Sequence, residues 1–345
     1  MKKIVIDRPG GYGQLKIKEF GNPSPVKDEV LVEVSAAGVN FADVFVRLGL
    51  YKSGKEFVGW PITPGFEFSG KALKCGPDVT DLQEGEQVLG VTRFGAYSSH
   101  VCVPRHQVFA MTDDSNFTPD QWAAFPTVFL TAYHGLFQSI VVRPEMNILV
   151  HSAAGGVGGA FIQLGKIAGC RMTGVVGASH KVKAVMDFGA DVVIDKRTQD
   201  LWARAEETCP EGFDVIYDGN GPATLKQSYL HLAPVGKLVA YGFHSMLSKK
   251  GGFPNYFKLA YEFFRIPRFS PLKLTNDNKS LIAFNLSYLF HRKDLLEESM
   301  QDLIKWVEEG KIQAPPVQAF AYEKVADAHQ ALESGSTIGK LILKF

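Results

Sequence analysis

The chain has 345 residues, of which 46% are hydrophobic and 21% charged, and its formal net charge is +1. This composition excludes a disordered chain, and the length predicts two domains with sizeable cores. With no long basic run, it offers no basis for nucleic-acid binding or for strong attraction to an anionic membrane surface, so the expected partner is a small molecule. From Met1 to Asp7 there is a basic pair but no apolar stretch of signal-peptide length, and no segment approaches a membrane span, which predicts a cytoplasmic protein. Cys75, Cys102, Cys170 and Cys209 lie far apart without CxxC or Cys/His spacing, so neither a disulfide framework nor a zinc cage is encoded.

Up to about residue 110, β-rich runs such as Glu29–Val34 and Glu86–Val91 alternate with Gly/Pro turns, as in a mainly antiparallel β domain. Thr118-Pro119-Asp120-Gln121 has the form of a capped helix start and marks the passage into a second domain. The most informative stretch follows. Asn147–Val150 is an apolar strand running into Ser152-Ala153-Ala154-Gly155-Gly156-Val157-Gly158-Gly159, then an apolar helix at Phe161–Ala168 and a second strand at Thr173–Val176. Strand, glycine turn, helix and strand in that order predict a Rossmann unit whose turn lets the backbone approach a pyrophosphate. Asp191–Ile194, Phe213–Tyr217 and Gly236–Tyr241 are further near-continuous apolar runs, as parallel strands buried on both faces should be. The predicted fold class is α/β, a doubly wound parallel sheet plus a mainly β domain.

Three later segments complete the chain. Residues Phe253–Phe269 concentrate aromatics after Gly251-Gly252, and are read as a lid, as an interface helix, or as a helix packed on its own domain or on a second subunit. A late strand is predicted over Leu281–Leu289. An amphipathic helix is predicted over Leu295–Glu309, ahead of a final strand at Lys340–Leu343.

An NAD-binding unit places an acid about 20 residues beyond the glycines, where it bonds the ribose hydroxyls. Here the count reaches Gly177, with no acid, and the chain continues through Ser179 and Lys181. The next strand ends at Asp195-Lys196-Arg197. Hydroxyl and cationic groups at Ser179, Lys181 and Lys196 suit a 2′-phosphate, so the expected cofactor is NADPH.

Ala36–Asp43, Pro64–Gly70 and Leu149–Gly158 stand in an order that resembles the zinc-free quinone oxidoreductases of the medium-chain dehydrogenase/reductase superfamily over nearly the whole chain. Within it, Asn40-Phe41-Ala42-Asp43, Gly49–Tyr51, the aromatic segment and the closing Ile338-Gly339-Lys340-Leu341 are most similar to the branch containing vesicle amine transport protein homologues. The resemblance implies a GroES-like substrate domain over residues 1–126 and 292–345 and a Rossmann NADP-binding domain over 127–291. Zinc members carry cysteine at Asn40 and histidine at Phe66, beside the glutamate matched by Glu67. Neither Asn nor Phe supplies a zinc donor, so no metal is expected.

The implied reaction is hydride transfer from NADPH to a quinone or an enone-type activated alkene, with Asn40, Asp43 and Tyr51 as the catalytic candidates. Asn40 would hold a substrate oxygen or the nicotinamide carboxamide, and Tyr51 would donate to a developing oxyanion. Asp43 is read equally as the cap of a helix starting near Phe41, and Tyr51 as an ordinary half-buried loop tyrosine. The cofactor-binding candidates are Thr127, Thr131, Ala154, Gly155, Gly156, Val157, Gly158, Gly177, Ser179, Lys181, Lys196, Gly242, Phe243, Asn285 and Lys340. Phe45 stands where many quinone reductases have tyrosine, which leaves Tyr51 as the phenol of the region. The competing reading is a nucleotide-binding protein of weak activity that acts through a protein, lipid or membrane partner, for which Lys249 and Lys250 beside the aromatic segment would serve. Relatives pair edge strands of two nucleotide domains, so a homodimer is expected through Leu281–Leu289.

Overall fold

A computed structural model describes residues 1–112, 115–247, 252–253 and 255–345. The chain divides into two compact units, one of Met1–Leu130, Lys249–Pro254 and Ser287–Phe345, the other of Thr131–Ser248 and Asn255–Leu286. Among the described residues no helix is long and apolar enough to cross a membrane.

The first unit is built on a seven-stranded sheet in which Val317–Ala321, Lys340–Lys344, Glu29–Val39, Glu67–Cys75, Gln87–Val91 and Val108–Ala110 lie side by side. All but the first pair are antiparallel. The long strand Glu29–Val39 shares one flank between two partners: residues 29–33 pair with His100–Pro104, and residues 36–39 pair with the C-terminal strand. Register shifts near Leu31 and Val34 accommodate this bend. Its alternating apolar residues (Val30, Val32, Val34) enter a core with Phe68, Val88, Tyr97 and Leu341. Between the sheet strands the chain makes short helices at Phe41–Arg47 and Lys52–Phe57. At Pro119–Ala123 the expected cap is present: Thr118 and Gln121 bond reciprocally, with Pro at the first helical position.

The second unit is a six-stranded sheet, parallel throughout, in the order Val192–Asp195, Arg171–Val176, Asn147–Val150, Phe213–Asp218, Leu232–Ala240, Ser280–Ala283. In sequence numbering of these strands the order is 3-2-1-4-5-6, the doubly wound arrangement whose ligand crevice lies where the order reverses, beyond the ends of the first and fourth strands. Ile148, Leu149, Val150, Val215 and Ile216 are fully buried, which explains their unbroken apolar runs.

Two expectations need correction. The late strand covers only Ser280–Ala283, and Leu286–His291 is a 3-10 turn. Ala283 pairs with Ala240, the last residue of the neighbouring strand, so the ladder has no further partner. Beyond it the buried positions are three apart, with Ser287 and Phe290 turned inward. The aromatic segment forms the helix Tyr256–Arg265, capped by Asn255, but the side it turns to its own unit is that of Lys258, which donates to the Leu247 carbonyl, and Glu262, and not the aromatic face. Phe257 is 91% and Phe264 81% exposed, and Glu262 is the buried residue of that helix. Lys249, Lys250 and Gly251 lie outside the described residues.

Candidate active site

In the second unit, Ser152 turns the chain at the end of the first strand with φ +55°, and Gly155 N–H closes the turn on the Ser152 carbonyl at 2.9 Å. Gly155 is the N-cap of the helix Gly156–Ile167. The glycines have distinct duties. A Cβ on Gly158 would collide with the Ser152 carbonyl oxygen and lie 2.7 Å from Ala153 Cα, and one on Gly159 would lie 2.9 Å from Phe188. The helix can therefore press its first turn against the turn before it only without side chains there. Ala154 is buried, while Gly155, Gly156 and Val157 are half-buried at the rim. The first-turn N–H groups of a helix lack intrahelical partners and carry the positive end of its dipole, so this cradle fits a pyrophosphate.

Around it, the ends of neighbouring strands bring in the other candidates. The second strand ends at Val176, and Gly177 follows, with the Lys196 side chain running past it (3.6 Å from a Cβ placed on Gly177). Ser179 and Lys181 form a short 3-10 turn. Ser179 Oγ donates its proton to Asp195 Oδ2 at 2.6 Å, and Arg197 N–H donates to Asp195 Oδ1 at 3.0 Å. These bonds hold the Asp195 carboxyl below the usual carboxylate range. The Ser179 hydroxyl expected for a phosphate thus has its proton on a carboxylate, an acid that counting along the second strand overlooks because it sits on the third. Gly242 packs directly on Gly219, whose carbonyl oxygen would lie 2.8 Å from a Cβ there. Phe243 is exposed beside Gly221, Asn285 is exposed after the last strand, and Thr131 is buried in the helix Pro126–Tyr133.

A buried cluster missing from the sequence reading fixes this crevice. Asp218, at the end of the fourth strand, accepts from Asn220 N–H (2.8 Å), Gly221 N–H (3.1 Å), Thr224 Oγ1 (2.7 Å) and Ser228 Oγ (2.9 Å). His151 Nε2 lies 3.0 Å from Ser228 Oγ, and Ser152 Oγ donates to Asn220 Oδ1 at 2.9 Å. The turns after the first and fourth strands are thereby locked to each other. Burial lowers the pKa of His151 and brings that of His244 down to about 4, so both rings are neutral near pH 7. The signal available in sequence was the Asp-Gly-Asn-Gly run, but only the parallel register sets it beside His151.

The first unit holds the remaining candidates. Asn40 Nδ2 donates to Glu67 Oε1 at 2.8 Å, Lys340 Nζ bonds both Asn40 Oδ1 and Glu67 Oε1 (2.6 Å to the latter), and Thr127 N–H donates to Glu67 Oε2 at 2.8 Å. Glu67 is fully buried and Lys340 only 4% exposed. Gly38 makes room for this carboxylate, since a Cβ there would lie 2.6 Å from Glu67 Cγ. Asn40 keeps one amide hydrogen and one oxygen lone pair beyond these bonds. Asp43 is fully buried, and its carboxylate accepts from Asn40 N–H (2.8 Å) and Gly65 N–H (2.7 Å), tying the start of the helix Phe41–Arg47 to the loop before Phe66. Burial pushes its pKa up to about 7, against the opposing pull of those N–H groups, Lys340 and Tyr97. Tyr51 is half-buried, edge-on to Phe66 (5.8 Å) and Phe94 (6.3 Å), with its hydroxyl 2.9 Å from Ser287 Oγ.

This donor set does not fit zinc. Of the two positions matched to zinc ligands, Phe66 is an apolar ring in a core cluster and Asn40 is an amide, and the neighbouring Glu67 has an ammonium already bonded to it. Among the described residues no group of three His, Cys, Asp or Glu side chains could hold a metal ion.

A mainly β unit and a 3-2-1-4-5-6 nucleotide-binding sheet are the two parts of a medium-chain dehydrogenase/reductase. Residues 26–153 match the alcohol dehydrogenase GroES-like domain, and residues 188–343 match the zinc-binding dehydrogenase family. The synaptic vesicle membrane protein VAT-1 homolog of Danio rerio is 33% identical over 343 residues, 99% of this chain and 69% of that protein. The Escherichia coli quinone oxidoreductase complexed with NADPH superimposes with a TM-score of 0.86 at 27% identity, covering 100% of both chains. The human VAT-1 homolog-like protein does so with a TM-score of 0.82 at 29% identity, covering 100% of this chain and 98% of that one. The chain belongs to the zinc-free quinone oxidoreductase-like family of the medium-chain dehydrogenase/reductase superfamily, close to the VAT-1 homologues.

Proposed function

We propose that this chain is an NADPH-dependent, metal-independent oxidoreductase that reduces a quinone or an enone-type activated alkene. The observation that carries the reading is the glycine cradle at Gly155–Gly159 on the reversal point of a parallel sheet, with Lys181 and Lys196 beyond the second strand and no acid at Gly177. A similar chain of known structure holds NADPH. Bound NADPH supplies the hydride. The helix first turn binds its pyrophosphate, and Lys181 and Lys196 favour the 2′-phosphate. Ser179, with its proton on Asp195, shapes that corner through the carboxylate.

In the other unit, Lys340 holds Glu67 and Asn40 in one orientation, and the Asn40 amide hydrogen beyond those bonds supports the reading that it binds an acceptor oxygen or the carboxamide. Asp43 and Gly65 fix the backbone that carries Asn40. Tyr51 donates the proton to the reduced acceptor. An enone requires such a donor after hydride addition, whereas a reduced quinone is readily protonated by water. Asn40 and Tyr51 are the catalytic groups in this account, and Asp43, Glu67 and Lys340 position them.

The test is NADPH oxidation followed at 340 nm with a panel of quinones and enones, alongside a zinc assay. Turnover without stoichiometric metal is expected. Tight NADPH binding with no turnover on any acceptor would favour the competing reading of a binding protein that uses the exposed Tyr256–Arg265 face. A homodimer joined through Ser280–Ala283, an edge strand of the sheet among the described residues, is part of the proposal. A monomer by light scattering at micromolar concentration counts against it.

A further inference from the structure

A second set of buried side chains leads away from the Asn40 cap. Arg47 ends the helix Phe41–Arg47 and is fully buried. One arm of its guanidinium, Nη2, donates to both carboxylate oxygens of Glu333 at 3.0 and 3.1 Å, which balances its charge. The other arm, Nη1, lies 3.3 Å from Nδ1 of His329, one turn before Glu333 on the helix Val325–Ser334. The opposite ring nitrogen, Nε2, lies 3.3 Å from the hydroxyl of Tyr97, and both rings are fully buried. Tyr97 hydrogen-bonds the Asp43 carboxyl, an interaction that lowers the pKa of Asp43 and raises that of Tyr97. Asp43 is the residue whose Oδ2 accepts from Asn40 N–H and whose Oδ1 accepts from Gly65 N–H.

The place of every proton in this set follows from one end. A guanidinium donates and never accepts, so His329 Nδ1 is the acceptor and bears no proton. Burial and the adjoining Arg47 charge keep the His329 pKa well below its ordinary value, so the ring is neutral with its proton on Nε2. That proton goes to the Tyr97 oxygen. Burial and the Asp43 charge hold the Tyr97 pKa well above its ordinary value, so the phenol keeps its own proton and gives it to Asp43 in a hydrogen bond. We infer that Tyr97 and His329 are positioning residues for Asn40. The donor chain that starts at Arg47 fixes a third hydrogen bond on the Asp43 carboxylate, beside those from Asn40 and Gly65, and so fixes the helix start that carries the Asn40 amide. The inference rests on the proposed reading of Asn40 as a catalytic group. The surrounding charges are engaged elsewhere: Arg47 is bonded to Glu333, and Lys340, which also pulls Asp43 toward ionisation, is bonded to Glu67. Glu67 and Arg47 act on Tyr97 in opposite senses.

Val39-Asn40 is the one Val-Asn pair of the chain, so ¹³C′-valine with ¹⁵N-asparagine labelling isolates the Asn40 amide in NMR spectra of the whole protein. Its N–H bonds the carboxylate directly, so its shift follows the ionisation of Asp43 between about pH 5 and pH 9. The parent midpoint is expected at about 7, with kcat/KM falling on the acid side of it. Tyr97→Phe should raise the midpoint by about 0.7, the equivalent of one ordinary hydrogen bond at ~1 kcal/mol. On the acid side kcat/KM should fall about fivefold, and at about pH 9 it should not change. His329→Gln, whose amide accepts from Arg47 and donates to Tyr97, should keep the parent midpoint. His329→Leu, which lets the phenol turn, should raise it, and added to Tyr97→Phe it should move nothing further. A merely structural role would change stability and leave these midpoints in place. An Asn40 midpoint unmoved by Tyr97→Phe overturns the relay. If that variant does not fold, equal midpoints in His329→Gln and His329→Leu overturn it. Full turnover by Asn40→Ala overturns the reading of Asn40 as a catalytic group, and with it the part of Tyr97 and His329 in the reaction.

Discussion

The two units build their candidate sites from different materials. In the nucleotide-binding unit the groups proposed to bind the cofactor are backbone N–H groups, presented by the turn at Ser152 and the start of the helix Gly156–Ile167 and made approachable by missing side chains at Gly158 and Gly159. In the mainly β unit they are side chains drawn from Asn40, Glu67 and Lys340, the last 300 positions from the first, together with the backbone of Thr127. The first kind of site is governed by steric exclusion and fails when a single atom is added. The second is governed by charge balance and fails when one partner is removed.

The largest effect expected from that contrast is on Glu67. Glu67→Gln leaves the buried Lys340 ammonium without a counter-charge, and should cost about 3–5 kcal/mol of stability, read as a drop in denaturant midpoint. Adding Lys340→Met to it should recover part of the loss. If the single variant is as stable as the parent, charge balance does not govern this unit. Next is Gly158→Ala, whose added carbon meets the Ser152 carbonyl and Ala153. Overpacking of about 1–3 kcal/mol is expected, with NADPH affinity weakened by ~100-fold or more in a fluorescence titration. Retained affinity would show that the turn does not carry the cofactor. Third, Lys181→Ala with Lys196→Ala should raise the KM for NADPH by roughly 30-fold, the worth of about one strong charge-assisted bond, while barely moving that for NADH. Equal effects on both cofactors would refute the choice of NADPH.

The same contrast explains what could be read from sequence. The glycine turn, its strands and the capped helix at Thr118 are local patterns, so spacing alone placed them. The family resemblance rested on runs such as Pro64–Gly70, which are local too. What escaped were pairings across long separations. Asp218 with His151 and Ser179 with Asp195 depend on strand order and register, and Tyr51 with Ser287 joins a helix N-cap to a 3-10 turn, none of which residue spacing expresses. Lys340 belongs to the closing Ile338-Gly339-Lys340-Leu341 motif, and what spacing does not show is that the fold sets it on Glu67 and Asn40. The strand expected over Leu281–Leu289 stopped at Ala283 because its neighbour ends there, a fact about the neighbour. The aromatic helix kept its helical form but not its burial, since periodicity predicts a face and not what covers it.

The smallest expected effect tests whether side-chain pairing matters in the backbone-governed unit. Ser179→Ala removes the hydroxyl that donates to Asp195, a loss of about 1 kcal/mol. The Asp195 pKa is lowered in the folded state, with the Ser179 bond as the largest cause. Its contribution is therefore fully present above the unfolded value near 3.9 and is lost as pH falls through the lower folded value. The variant should thus be less stable than the parent at pH 7, and the gap should begin to close as the pH falls below about 4, near the unfolded value, and vanish only below the lower folded value, where the carboxyl is protonated in both states. Thermal unfolding of the two proteins across pH 3–7 measures it. The KM for NADPH should change little, because in this geometry the Ser179 proton is on a carboxylate and not directed to a phosphate. A large rise in that KM at neutral pH would mean that the serine turns from Asp195 to the cofactor on binding, and that even this unit recognises its ligand through a side chain that changes partners.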